Sequence, residues 1–599
     1  MAYQPIENYG IIGDLHTTAL VGRDGSIDFL CFPHFHSPSI FAGLLDEGKG
    51  GHFSITPLVA SLRTKQLYLP DTNVLLSRFL AAEGVAEISD FMPVRDRHLH
   101  RVVRRVKSVR GQMRFRVECK PAFDYGRAGH RVVTDEIGAE FVSEAAGLSL
   151  RLRSEVRLVQ QGDAAVAKFV LQEGETAAFV LEEAETDSPA AAPHFVADSF
   201  KETVDFWRAW VGGSTYRGRW REVVHRSALT LKLLTFAPQG SIVAAPTFGL
   251  PEDVGGVRNW DYRYTWIRDA AFTLYALSRL GFHSEAEGFM DWIKARCEQL
   301  AEGELLQVMY GLSGEKDLSE RTLDHFEGYR HSRPVRIGNG AFDQVQLDIY
   351  GALMDAVYLY DKHCQAISYD LWSNLLRLID WVADHWRQPD HGVWEIRGEL
   401  HSFLYSRLMC WVAVDRGYRL ALKRSLPAPL EHWRTVRDEI YHDIFSNFWD
   451  DELQAFVQYQ GSKTLDASCL LMPLVRFISP TDPRWLATLQ AVEARLVEDS
   501  LVYRYRMGEA APDGLTGEEG TFSMCSFWYV ECLSRAGDLK KARFYFEKML
   551  GYANHLGLYA EELGKCGEHL GNFPQAFTHL ALISAAFDLD RRLSKDKKE

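Results

Sequence analysis

The chain has 599 residues, of which 46% are hydrophobic and 25% charged, and a formal net charge of −14. That length calls for more than one domain, and the acidic balance speaks against nucleic acid or an anionic membrane as a partner. No run of about eighteen apolar residues is present and Met1–Glu7 lacks a basic-then-apolar pattern, so neither a membrane span nor a signal peptide is expected.

The nine cysteines are scattered and form no C-x-x-C pair, and the 21 histidines show no H-E-x-x-H spacing. Reduced thiols in a cytoplasmic protein are the natural reading, with no metal ligand set assigned and no cofactor required.

The first third reads as β. Asp24-Gly25 separates Thr18–Val21 from Ile27–Leu30 in the manner of a tight hairpin. Leu148, Leu150 and Leu152 alternate with polar residues, and Val166–Leu171 and Ala177–Leu181 are further strand candidates between turn signals such as Gln161-Gly162-Asp163. Many short strands with few helical patterns imply an antiparallel β-sandwich over residues 1–199.

The character changes near residue 200. Phe200–Trp210 reads as a linking helix, giving a linker over 200–218, and helical periods dominate 219–599. Leu371, Leu375, Leu378, Ile379, Val382 and Trp386 form one apolar stripe, and Leu539, Ala542, Phe546 and Met549 another. Leu277-Ser278-Arg279-Leu280-Gly281 and Leu533-Ser534-Arg535-Ala536-Gly537 each read as a helix end, a glycine cap and the start of an αα-hairpin.

The densest chemistry lies in Gly256–Asp269, which gathers four aromatics, three arginines and two aspartates before an apolar helix from Ala270 to Leu280. Aromatic faces stack on sugar C–H surfaces while Arg and Asp satisfy hydroxyls, so a polyhydroxylated ring fits this mixture; a structural ion-pair cluster is the other reading.

Two acids stand in unusual company. Glu395, in Gly392-Val393-Trp394-Glu395-Ile396-Arg397-Gly398, lies between a Trp and an Ile, where desolvation would suit a general acid; pairing with Arg397 on the surface is the alternative. Glu561 and Glu562 share a loop ahead of Gly571-Asn572-Phe573-Pro574, with a helix starting near Pro574. Arg-rich stretches around Tyr329–Gly340 and Tyr503–Arg506 repeat the aromatic–arginine character without a phosphate-binding Gly-rich loop.

Taken together, Tyr9–Asp28, Pro251–Tyr262 and Gly571–Phe577 resemble glycoside hydrolase family 15, the glucoamylases and the bacterial and archaeal α,α-trehalases, over nearly the whole length. The resemblance implies an N-terminal β-sandwich, a C-terminal (α/α)6 barrel and an inverting α-glucosidase acting on a small carbohydrate. It places the general acid at Glu395 and the base at Glu561, with Glu562 the other candidate. Tyr262, Trp266, Arg268, Asp269, Trp394 and Arg504 match sugar-gripping positions, and His331 and Arg333 border the adjoining subsite. Fungal members carry a second acid where this chain has Ile396, which tilts the expected substrate to α,α-trehalose, with malto- or isomalto-oligosaccharides as the alternative. A silent carbohydrate-binding protein, a phosphorylase using the Arg333 loop, and a homo-oligomer also stay open.

Overall fold

The computed structural model describes residues 3–95, 99–184, 193–301, 303–509 and 513–596. Its N-terminal part holds two eight-stranded sheets in which every pairing is antiparallel. One runs, in spatial order, Tyr9–Gly13, Thr18–Gly22, Ser26–Cys31, His52–Pro57, Met113–Lys120, Ala164–Leu171 and Val159–Gln161, with Ser39–Phe41 added on Ser26–Cys31. The other runs Arg131–Asp135, Gly138–Ser143, Leu148–Ser154, Thr176–Glu183, Val102–Gly111, Gly84–Phe91, Leu75–Leu80 and Arg63–Tyr68.

The alternation read in the sequence sets which faces meet. Leu150, Leu152, Phe179, Leu181, Phe115 and Val117 are fully buried in one apolar core shared by the two sheets. The Asp24-Gly25 turn is where expected: Gly25 takes φ +87 and its N–H donates to Gly22 O at 3.0 Å. Buried charge is paired: Arg104, with no exposure, donates through Nε to Asp90 at 2.8 Å and stacks over Phe53.

The connecting helix is longer than the sequence suggests, Pro193–Gly212. It belongs to the sheet core by packing, since Val196, Val204, Trp207 and Val211 bury against it.

From Arg221 onward helices dominate. Ala270–Leu280 packs on Asp348–His363, that helix on Leu404–Arg424, and the last on the turn at Ala467–Leu470. The path continues through Ser523–Ala536 to Ala576–Asp596, which returns to Ala270–Leu280. Arg221–Leu233, His283–Glu298, Tyr369–His385, Leu430–Asn447, Pro483–Leu496 and Leu539–Leu550 pack outside this circuit or beside it. Both repeated segments form αα-hairpins. Gly281 at φ +90 and Gly537 at φ +99 cap their helices, and the residues after them, Phe282 and Asp538, donate back to Leu277 O and Leu533 O. All nine cysteines are free thiols, and no described helix is long and apolar enough to cross a membrane.

Candidate active site

Two short antiparallel pairings hold the aromatic–charged segment. Asn259–Asp261 pairs with Phe248–Pro251, and Thr265–Trp266 with Met309–Tyr310. The charges of this segment divide into two groups. Asp261 and Arg263 are buried, bonded to each other at 2.6 Å, with the guanidinium over Phe248; they hold the backbone, Arg263 Nη1 donating to Ser37 O at 3.0 Å and Asp261 Oδ2 accepting the Gly338 N–H at 3.1 Å. Arg258 bonds Asp513 at 2.6 Å. Tyr262, Trp266 and Arg268 point the other way, toward the two acids singled out in the sequence.

Glu395 sits at the end of a tight turn with φ +57, a backbone conformation that costs a non-glycine residue and that surrounding structure must enforce. Its Oε1 accepts from Trp266 Nε1 at 2.7 Å and from Arg268 Nη1 at 3.0 Å. The expected apolar company is thus replaced by two donors. Arg397 is not its partner, since it pairs with Glu320 and stacks on Trp260. Burial works against the Arg268 charge, but Asp269 and Glu395 outweigh it and keep the guanidinium ionised. Asp269 accepts from Arg268 Nε at 3.1 Å, and burial lifts its carboxyl above the ordinary value against that pull. Trp394 is fixed by its indole N–H, which donates to both oxygens of Asp466 at 3.0 and 2.9 Å.

Glu561 ends the loop as expected, while Glu562 opens a short strand: Glu562–Leu563 pairs with Thr521–Phe522 and with His569–Leu570. Successive side chains on extended backbone take opposite sides, and the contacts follow. Glu561 Oε1 accepts from Tyr262 OH at 2.6 Å and Gln575 Nε2 at 3.3 Å, while its buried Oε2 has no side-chain partner among the described residues. Glu562 Oε2 instead accepts the Gly520 N–H at 2.6 Å. Gly571 leaves the room that Glu561 occupies: at φ +71, a Cβ there would meet Glu561 Oε2 at 2.5 Å.

The cleft itself is lined by Glu252, Trp260, Tyr262, Trp394, Glu395 and Arg504, among others. Arg504 is buried and bonds Glu519 through Nε at 2.9 and 3.0 Å, with Trp394, Tyr505 and Phe522 around its guanidinium. Glu252, Glu519, Glu561 and Glu562 are all buried here, against Arg258 and Arg504. Such an excess of carboxylates cannot all be ionised cheaply. Burial pushes Glu252 up to about 7 against the pull of Arg504. Burial, then the Glu252 charge, push Glu561 up to about 8, while the Tyr262 hydrogen bond works in the opposite direction.

Tyr262, Trp266, Arg268, Asp269, Trp394, Glu395, Arg504 and Glu561 are therefore joined by direct contacts or by the cleft lining. His331 and Arg333 are not. The turn at Tyr329–His331 takes Arg330 and His331 through positive φ, swinging both outward, so His331 is 79% exposed beside Glu327 and Arg333 donates to Glu327 O at 3.3 Å. Sequence reasoning gave no role to Glu252, Glu519, Asp513 or Asp466. The first two lie in segments already conspicuous for their charge, and Asp466 carries no local signal at all.

A model of the glycosyl hydrolases of family 15 matches residues 218–587, and a trehalase-like N-terminal model matches residues 2–200. The chain is 40% identical to a trehalase of Mycobacterium tuberculosis, over 98% of this chain and 90% of the relative. It is 36% identical to a trehalase of Thermoplasma volcanium, over 99% and 95%. Among solved structures, a bacterial glucoamylase in complex with acarbose superposes with a TM-score of 0.73 at 13% identity, covering 100% of this chain and 96% of that one.

Proposed function

The chain belongs to glycosyl hydrolase family 15, and we propose that it cleaves α,α-trehalose into two molecules of glucose with inversion at the attacked carbon. The observation that carries this reading is the matched preparation of two carboxylates. In each, donors converge on Oε1, Trp266 and Arg268 on Glu395, Tyr262 and Gln575 on Glu561. In each, Oε2 is left for chemistry. Glu395 Oε2 carries the proton to the glycosidic oxygen. Glu561 Oε2 takes a proton from a water that attacks the opposite face of the ring, and inverting geometry needs the two carboxyls roughly 6.5–9.5 Å apart.

Glu562 is directed to the Gly520 amide, which supports Glu561 as the base. Asp269 and Arg268 grip hydroxyls of the glucose that is attacked, with Tyr262, Trp394 and Arg504 forming its walls, so that binding orients the reacting carbon. The circuit of helices closing on Ala270–Leu280 fits an (α/α)6 barrel with this cleft at one end, and the two shared-core sheets fit a β-sandwich. Trehalose is favoured over longer glucans by the relatives named trehalase at 36–40% identity, and by Ile396, an apolar residue where an acid would hold a further sugar.

Glucose release from trehalose, maltose, isomaltose and kojibiose tests the substrate: turnover of trehalose above the others is expected, and none on trehalose refutes the proposal. Glu395→Gln and Glu561→Gln should each lower kcat by about 10²–10⁴-fold; near-normal turnover in either overturns its role.

A further inference from the structure

We propose that Asp14, His16 and His100 form a binding site for a late first-row divalent cation, zinc above all, at the junction of the sheet and helical parts. The site is separate from the acid-lined cleft. One ligand atom from each residue lies within 4.8 Å of the others. His100 Nδ1 stands 2.7 Å from Asp14 Oδ2, and the His16 and His100 rings are 4.7 Å apart between centroids. Two ligands at zinc bond lengths near 2.0 Å in tetrahedral array sit about 3.3 Å apart. A metal would therefore need His100 to retreat from Asp14 by roughly half an ångström.

The turn is built to present these groups. Leu15, between the two ligands, takes φ +70. Asp14 Oδ1 accepts the His16 and Thr17 N–H groups at 2.9 and 3.0 Å, the outer hydrogen bonds that orient a ligating carboxylate, so Oδ2, which now holds His100 Nδ1, is the oxygen turned to the metal position. The same residues line a cavity of about 970 Å³ that gives an ion entry and a water room to complete the coordination. His34 is on its wall, with its ring 5.7 Å from that of His100.

The donor set decides the metal class. Two imidazoles and one carboxylate suit zinc, cobalt or nickel, whereas magnesium and calcium want oxygen. The fold decides the consequence. Asp14 and His16 follow Tyr9–Gly13, His100 precedes Val102–Gly111, and Ala237, beyond the first barrel helix, donates its N–H to Leu15 O at 2.8 Å. A bound ion would clamp one sheet to the other and both to the helical part, raising stability and leaving the cleft chemistry alone.

The test uses the full chain stripped with chelator, titrated with Zn²⁺ by calorimetry and with Co²⁺ by absorption, beside the His100→Gln and His16→Asn variants. The wild type should bind one equivalent, with a Co²⁺ spectrum free of thiolate charge transfer, and Zn²⁺ should raise its Tm. Each variant should bind at least tenfold more weakly and lose the Tm shift while keeping trehalose turnover. Equal affinity in wild type and a folded variant, a thiolate band, or no binding by the wild type overturns the site. Should one variant fail to fold, the other carries the same comparison.

Discussion

Tyr262→Phe isolates one hydrogen bond of the proposed base. The ring stays against Trp266, and only the hydroxyl that donates to Glu561 Oε1 at 2.6 Å is lost. Donation to a carboxylate stabilises its ionised form, so removal raises the Glu561 pKa. A hydrogen bond to a charged group contributes about 1.5–3 kcal/mol, and one pKa unit corresponds to about 1.4 kcal/mol, so the full effect is about one to two units. Gln575 remains as a second donor at 3.3 Å, which favours the lower end, about one unit. The sign follows from the role. A base works only when ionised, so activity is present above its pKa and is lost as pH falls through it. The acidic limb of kcat/KM on trehalose should therefore move up by about one pH unit, with the plateau at high pH changed little. An unmoved limb, or one displaced to lower pH, refutes Glu561 as the base or Tyr262 as its support.

Glu252→Gln should do the reverse. It removes the negative neighbour that ranks after burial among the causes raising Glu561, so the acidic limb should shift down, by about half a unit to one unit in the same pH–rate assay. Gly571→Ala should cut kcat by more than about tenfold, because its Cβ meets Glu561 Oε2 at 2.5 Å and φ +71 disfavours alanine; rapid-quench or steady-state turnover at saturating trehalose checks it. Trp207→Ala, in the helix that leaves the sheets, empties a fully buried position and should lower unfolding free energy by about 3–5 kcal/mol, read by denaturant titration, without changing the pH profile.

The sequence made the architecture visible where local rules act alone. Alternation at Leu148–Leu152, the Asp24-Gly25 turn, and the glycine caps at Gly281 and Gly537 are decided within a few residues, and the structure shows each. The Gly256–Asp269 segment stands out because its mixture of aromatics and paired charge fits a ring-binding site better than a core. Yet its own division could not be read: Asp261 and Arg263 hold each other inside the fold, and only contacts show that Tyr262, Trp266 and Arg268 face the acids. The resemblance sets His331 and Arg333 at the border of the adjoining subsite, and the outward turn at Arg330 and His331 that directs them depends on backbone geometry that neither residue type announces. Asp466 and Glu252 act through partners 72 and 309 residues away, Trp394 and Glu561 (561 − 252 = 309), and a linear reading has no access to such pairs.

Inverting hydrolysis of α,α-trehalose by two carboxylates is tested most directly by proton NMR of the glucose released by the wild-type enzyme in the first turnovers, before mutarotation. Inversion at one anomeric carbon gives β-glucose from the attacked ring and leaves α-glucose as the departing one. Equal α and β signals before mutarotation are the predicted result. Two equivalents of α-glucose would establish retention and contradict the assigned roles of Glu395 and Glu561.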